Sequence, residues 1–90
     1  MARRTGETTR QMLAAPQGAI YICCHEQDAR GYSRRLAYSL GRVDLELVST
    51  SWLDSERWHG RHLSAVVVDH ACRLTDEQQS LLRHVFARVR

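Results

Sequence analysis

Lysine and asparagine are absent from this sequence of 90 residues, and proline occurs once. Without lysine, the chain cannot form a Schiff base or direct an ammonium group at a bound phosphate. All thirteen basic residues are arginines, and with ten acidic residues they give a formal net charge of +3. A composition skewed this far indicates the coding bias of a GC-rich genome rather than a functional site.

Long apolar runs and paired cysteines are scarce as well. The apolar stretch at residues 12–15 is cut short by Pro16, and no run approaches the roughly 18 apolar residues of a membrane span. The three cysteines are an odd number, and Cys23 and Cys24 are adjacent, so we expect reduced thiols instead of a disulfide framework. These features predict a cytoplasmic protein without a membrane segment.

The length of the chain leaves room for one hydrophobic core, so we expect a single domain over residues 1–90. Residues 1–7 are polar and basic, and we expect them to form a flexible N-terminus. The arginines continue as far as Arg90 without the clustering that marks a nucleic-acid surface. Charge alone therefore predicts no partner.

Three apolar segments predict three strands. In residues 63–69 four apolar residues run without interruption into Asp69, which is typical of a parallel strand buried on both faces. Residues 18–24 are apolar and partly β-branched, and residues 43–49 alternate apolar and acidic side chains. We expect residues 63–69 to be the central strand, with residues 18–24 beside it and residues 43–49 at an edge.

Helical segments separate these strands, and the order predicts an α/β fold. Strands that alternate with helices at this spacing form a small, mostly parallel sheet flanked by helices, a three-layer arrangement of the Rossmann-like or P-loop-like kind. Pro16 and Gly41 end the first two helices, and Thr75 with Gln78 forms a capping box at the start of the last. The predicted helices are residues 8–15, 27–40, 51–59 and 75–89.

A degenerate phosphate loop is the first candidate site. A loop of the type G-x-x-x-x-G-K-[ST] would place its second glycine at Gly6 and its hydroxyl at Thr8, at the start of a helix. With a later apolar strand that ends in Asp69, like a Walker B strand, the chain resembles a shortened P-loop NTPase. The resemblance implies ATP and Mg²⁺ as ligands, with Asp69 near the metal. The residues of this loop are Thr5, Gly6, Glu7, Thr8 and Thr9.

Three departures from the family's pattern argue against catalysis. Glu7 stands where the family has the lysine that neutralises the β and γ phosphates, so its charge would repel them. The strand that precedes the loop in the family has no counterpart in residues 1–5, so either it is missing or another chain supplies it. His70 follows Asp69 at a position where many relatives carry a catalytic glutamate. We therefore expect a relative that neither binds ATP tightly through this loop nor hydrolyses nucleotides, and we expect no cofactor.

The ends of two predicted strands supply a second candidate site. Cys24 and His25 end one strand, and His70 and Cys72 follow the end of another. Because neighbouring parallel strands end at the same edge of a sheet, we expect Asp69, His70, Cys24 and His25 to form a ligand edge. Thiol and imidazole groups bind zinc, so Cys24, His25, His70 and Cys72 are a candidate zinc site, although no C-x-x-C spacing supports it. In the simpler interpretation, Asp69 accepts N–H bonds from the following loop.

The sequence predicts a non-catalytic interaction module derived from a P-loop NTPase-like core. Its small size and arginine bias resemble accessory proteins of bacteriophages from GC-rich hosts, which implies the host cytoplasm. The missing first strand leaves a sheet edge that invites pairing with a second copy or a host protein. Two alternatives are a nucleotide-binding protein with an atypical phosphate loop, in which Arg3 or Arg4 replaces the lysine, and a nucleic-acid binder. The arginines that would contact nucleic acid are Arg3, Arg4, Arg10, Arg30, Arg34 and Arg35.

Overall fold

The computed structural model describes residues 3–89, with side chains from Gly6 onward, as three strands and five helices. No helix within these residues is long and apolar enough to cross a bilayer. The alternation of helices and strands confirms the predicted α/β class. In chain order the elements are α1 (Arg3–Ala14), β1 (Ile20–Cys23), α2 (Glu26–Arg30), α3 (Tyr32–Ser39), β2 (Glu46–Ser49), α4 (Ser51–Ser55), β3 (Val66–Val68) and α5 (Asp76–Arg88).

The three strands form one parallel sheet in the order β2-β1-β3. The predicted central position of residues 63–69 is wrong. The centre is β1, whose four side chains are all buried, whereas β3 lies at an edge and its three valines are half-buried. An unbroken apolar run indicates that both faces of a strand are covered, but it does not distinguish a central strand from an edge strand.

Helices cover both faces of the sheet and complete the predicted three layers. On one face, α1, α2 and α3 enclose a core that includes Met12, Tyr21 and Ala37. On the other face, α4 and α5 enclose a core that includes Leu53 and Val85. Right-handed crossovers produce this arrangement when the chain moves from β1 to β2 and then back across β1 to β3.

The first two predicted helices differ from the observed ones. The first begins at Arg3 instead of residue 8, so residues 3–7 belong to α1; Met1 and Ala2 lie outside the described residues. The flexibility of residues 1–7 stays a prediction. The predicted helix over residues 27–40 is divided into α2 and α3. Gly31 separates them with φ −116° and ψ −97°, which breaks the run of helical backbone.

The third predicted helix is shorter than expected. It ends at Ser55 instead of residue 59, because Glu56 adopts a left-handed conformation with φ 54°. The chain then turns Trp58 into the core, where its indole N–H donates to the carbonyl oxygen of Leu53 at 3.1 Å.

The start of the last predicted helix is confirmed. Thr75 accepts from the N–H of Gln78 at 3.0 Å, and the side chain of Gln78 accepts from the N–H of Thr75 at 3.1 Å. The Gln78 amide also donates to Asp54 at 3.0 Å. The capping box therefore begins α5 and joins it to α4.

The C-terminal end of α1 is fastened by Arg42. Its guanidinium donates to the carbonyl oxygens of Met12 at 2.6 Å and Pro16 at 3.2 Å, and it pairs with Asp44 at 3.0 Å. Asp44 also accepts from the N–H of Gly18 at 2.8 Å. The hydrogen bond from Arg42 holds the pKa of Asp44 well below its usual range. This network fixes α1 on the sheet, with its middle turns beside the end of β3.

Candidate functional site

The carboxyl ends of β1 and β3 border a crevice at one edge of the sheet. These strands are neighbours, yet β1 leads to α2 on one face and β3 leads to α5 on the other. In open parallel sheets this arrangement separates the two loops and leaves room for a ligand. The predicted ligand edge is composed of residues that follow these two strands, namely Asp69, His70, Cys24 and His25.

Asp69 directly follows β3 at this edge of the sheet and is turned into the protein. It is 6% exposed, and its Oδ2 accepts from the hydroxyls of Thr8 and Tyr21, each at 3.3 Å. Its Oδ1 accepts from the N–H of Ala71 at 3.0 Å and lies 3.0 Å from Nδ1 of His70. The predicted bond from the following loop is confirmed. The carboxylate is thus held by donors from α1, β1 and the loop after β3.

Tyr21 supplies the donor from the central strand. Its ring is fully buried in the core, and its hydroxyl reaches Asp69. Burial and then the negative charge of Asp69 raise the pKa of Tyr21 well above its usual value, so the hydroxyl keeps its proton. A protonated phenol can donate a hydrogen bond to the carboxylate at all times, so the contact between Tyr21 and Asp69 is structural.

Gln11 covers the outer edge of β3 where the strand ends. Its Nε2 donates to the carbonyl oxygen of Val68 at 3.0 Å, and its Oε1 accepts from the N–H of His70 at 2.7 Å. The primary amide therefore occupies the place that a peptide group of a further strand would take. Oε1 also lies 3.2 Å from Nδ1 of His70, which turns that ring toward α1.

The predicted phosphate loop lies within α1. Thr8 is buried with its hydroxyl against Asp69, so the structure joins two positions that the P-loop resemblance singled out. Glu7 instead pairs with Arg10 at 3.4 Å near the surface. From Glu7 onward the N–H groups of α1 bond to carbonyl oxygens four residues earlier, which leaves them unable to surround a phosphate. Phosphate binding by residues 5–9 stays a prediction.

The four predicted zinc ligands do not all converge, although the thiols of Cys24 and Cys72 share a side-chain hydrogen bond. Cys24 and His25 border a depression of about 400 Å³, whereas the His70 ring faces Gln11 and Asp69. The Cys72 thiol donates to the carbonyl oxygen of Ile22 at 3.3 Å, and burial raises its pKa. Among the described residues, no three side chains of the metal-binding types are placed to share a metal ion.

No family model, curated protein or solved structure matches the chain. The functional interpretation therefore rests on the geometry of the described residues.

A second candidate surface lies at the opposite edge of the sheet, along β2. The N–H of Glu46 donates to the carbonyl oxygen of Ala19 on β1 at 3.0 Å. Because parallel strands alternate their bonding direction, the N–H and C=O groups of Leu47 point away from β1. Within residues 3–89 no further strand lies beside this edge. Unlike β3, whose edge Gln11 covers, β2 offers unpaired backbone groups.

A groove follows this open edge, and we refer to it as the edge groove. Its volume is about 340 Å³, and its floor is formed by β2. It continues into an apolar hollow of about 340 Å³, bordered by Ala37, Tyr38, Val43 and Leu45. Tyr38 and Val43 are 75% and 70% exposed. The edge groove itself is lined by Arg30, Arg34, Leu47, Val48, Ser49 and Arg57.

The arginines that the sequence suggested for nucleic-acid contact are divided between surfaces. Arg30 and Arg34 line the edge groove, Arg35 is exposed on α3 without lining it, and Arg10 belongs to α1. The side chains of Arg3 and Arg4 lie outside the described part. Nucleic-acid binding by these arginines stays a prediction.

Sequence reasoning missed Tyr21, Gln11 and the edge groove. A phenol within an apolar strand needs a polar partner when it is buried, so a signal for Tyr21 was present. Gln11 gave no such signal, because one glutamine on a short helix is ordinary surface composition. The groove could not be found either, since Arg34 on α3 and Arg57 in the turn after α4 are distant in sequence and border one groove only after β2 is placed between them.

Proposed function

We propose that this protein is a non-catalytic interaction module, derived from a P-loop NTPase-like core, that binds another protein through a sheet edge. The observation that carries the proposal is the engagement of Asp69. In the family that the sequence resembles, the equivalent aspartate and hydroxyl serve a magnesium ion. Here the Thr8 hydroxyl donates to Asp69 directly, and Tyr21, Ala71 and His70 occupy the rest of the carboxylate.

These contacts support a structural role for Asp69, because they connect α1 to both β1 and β3. The sheet edge that favours association is that of β2. The strand that precedes the phosphate loop in the family would lie beside β3, where Gln11 already satisfies Val68 and His70. A small binding module of this kind is consistent with the resemblance to bacteriophage accessory proteins that act in the host cytoplasm.

Nucleotide binding is the second candidate, because Thr8 and Asp69 meet in the same register as the magnesium-associated pair of a P-loop. In that case the Thr8 hydroxyl and the Asp69 carboxylate would hold the magnesium ion of bound Mg-ATP. Thr8→Val would then abolish binding, and Gln79→Ala on the surface of α5 would not.

Titration calorimetry of the wild-type chain with Mg-ATP separates the two candidates. The interaction module predicts no saturable heat up to millimolar nucleotide, because the Asp69 oxygens are already occupied. Saturable binding that disappears in Thr8→Val, with the circular dichroism of the variant unchanged, would overturn the proposed function in favour of a nucleotide-binding protein.

A further inference from the structure

We propose that the edge groove binds an extended, acidic segment of a partner protein, which adds a strand to β2. This inference rests on the proposed function, because it names the surface and the chemistry of the partner. The segment is one that alternates acidic and apolar side chains. Its backbone pairs with β2, its acidic side chains meet the arginines, and its apolar side chains enter the hollow beside Tyr38.

The backbone of β2 provides the pairing groups. Leu47 lies in the middle of the open edge, with an N–H donor and a C=O acceptor directed outward. An extended peptide beside β2 would satisfy both, as in other cases of strand addition to a sheet edge. The half-buried side chains of Leu47 and Val48 sit on the floor of the groove, so a partner strand would also cover apolar surface.

The charge of the groove selects an acidic segment. Arg34 and Arg57 are exposed, and neither forms an ion pair with a carboxylate of the described chain. Arg30 pairs with Glu26 at 3.0 Å, so the groove holds three arginines and one glutamate. Arginine binds carboxylates through two parallel hydrogen bonds, which favours aspartate or glutamate opposite these side chains.

A second copy of the chain is a poorer occupant than an acidic partner. Two-fold symmetric pairing of β2 with itself would place the same residues of both copies near the axis. Arg34 borders both the edge groove and the apolar hollow beside Leu47, so its guanidinium would approach that of the other copy. Repulsion between like charges destabilises such an interface.

Nucleic acid also fits the groove less well. Phosphates accept from arginine, but a phosphate group has no donor for the outward C=O of Leu47. The apolar hollow has no basic side chains besides Arg34 and Arg42, and Arg42 is engaged with Asp44 and the end of α1. The groove therefore favours a peptide, with apolar side chains as well as negative charge.

The test is fluorescence anisotropy with a labelled octapeptide of alternating glutamate and valine. We expect a Kd on the order of 100 µM at low salt, which weakens as salt is raised. Arg34→Glu should weaken binding by about tenfold or more, because a rim charge changes from attractive to repulsive. Arg35→Glu is the matched control: it changes the same charge on the same helix outside the groove and should alter the Kd by less than about threefold.

Two further peptides test the mode of binding without altering the protein. A lysine–valine octapeptide should not bind, and a glutamate–valine octapeptide with alternate N-methylated residues should bind at least about tenfold more weakly, since it cannot complete the ladder. Equal binding of the N-methylated peptide would overturn strand addition. Three other results would contradict an acidic peptide as the occupant of the groove. The first is an equal effect of Arg34→Glu and Arg35→Glu on the Kd, and the second is tighter binding of a single-stranded oligonucleotide than of the peptide. The third is a dimer of the free chain that is lost in Arg34→Glu.

The Mg-ATP titration on the same samples keeps the two proposals separate. If neither Mg-ATP nor the peptide binds, this inference fails and the proposed function survives. If Mg-ATP binds through Thr8, the proposed function fails whatever the peptide does.

Discussion

At the scale of single residues, removal of the Tyr21 hydroxyl tests whether the hydrogen bonds to Asp69 stabilise the fold. It is one of two hydroxyl donors to Oδ2 of a carboxylate that is almost completely buried. We expect Tyr21→Phe to lower the free energy of unfolding by about 1 to 3 kcal/mol, because a buried charged acceptor loses a partner and the shape of the core is kept. Urea denaturation measures the change.

Tyr38→Phe is the matched control for that experiment. Tyr38 is 75% exposed and borders the apolar hollow, so losing its hydroxyl should change stability by no more than about 0.5 kcal/mol. Equal effects of the two substitutions would contradict a special role for the pair formed by Tyr21 and Asp69.

At the scale of the elements, two glycines in helical segments have opposite roles. Gly31 lies between α2 and α3, where an added Cβ would come within 2.9 Å of the backbone oxygen of Gln27. Gly6 lies inside α1, where an added Cβ meets nothing within 4 Å. We expect Gly31→Ala to destabilise the protein by about 1 to 3 kcal/mol and Gly6→Ala to stabilise it by about 0.5 to 1 kcal/mol.

Thermal unfolding of the two alanine variants measures whether stability falls in Gly31→Ala and rises in Gly6→Ala. The result at Gly6 also bears on the predicted phosphate loop, since a glycine required by a loop conformation would not accept a Cβ. A loss of stability in Gly6→Ala would contradict the helix from Arg3 and favour the loop.

The ends of the helices show which element boundaries a local sequence pattern can predict. Thr75 and Gln78 predicted the start of α5 because a capping box is complete within four residues. Gly31 gave no comparable sign, because an isolated glycine inside an amphipathic pattern is compatible with a continuous helix. The break depends on how α2 and α3 each pack on the sheet, which is information outside the segment.

At the scale of the whole molecule, the alternation of strands and helices was enough to predict a parallel, three-layer α/β domain. The order of the strands was not predictable, because right-handed crossovers permit either direction of movement from β1. The candidate site was predicted in part: Asp69 and Thr8 were singled out and do meet. Tyr21, the second hydroxyl donor to Asp69, lies on β1, so the sequence alone could not show that the carboxylate is fully engaged.

The two edges of the sheet also determine how the whole molecule behaves in solution. The edge of β3 is covered where Gln11 bonds to Val68 and His70, and the edge of β2 carries Arg34, which disfavours pairing with a second copy. We expect sedimentation velocity to show a monomer at concentrations up to about 500 µM, since neither edge accepts another copy without breaking a contact or juxtaposing like charges.

Removing the cover from β3 should change that result. In Gln11→Ala the outward groups of Val68 and His70 lose their partner, and an uncovered strand edge is a template for association, so we expect dimers that grow with concentration. Gln17→Ala, an exposed glutamine just beyond α1, is the matched control and should stay monomeric. A dimer of the wild-type chain would show that one of the two edges accepts a second copy. A monomeric Gln11→Ala variant with native circular dichroism would show that Gln11 does not prevent pairing at the edge of β3.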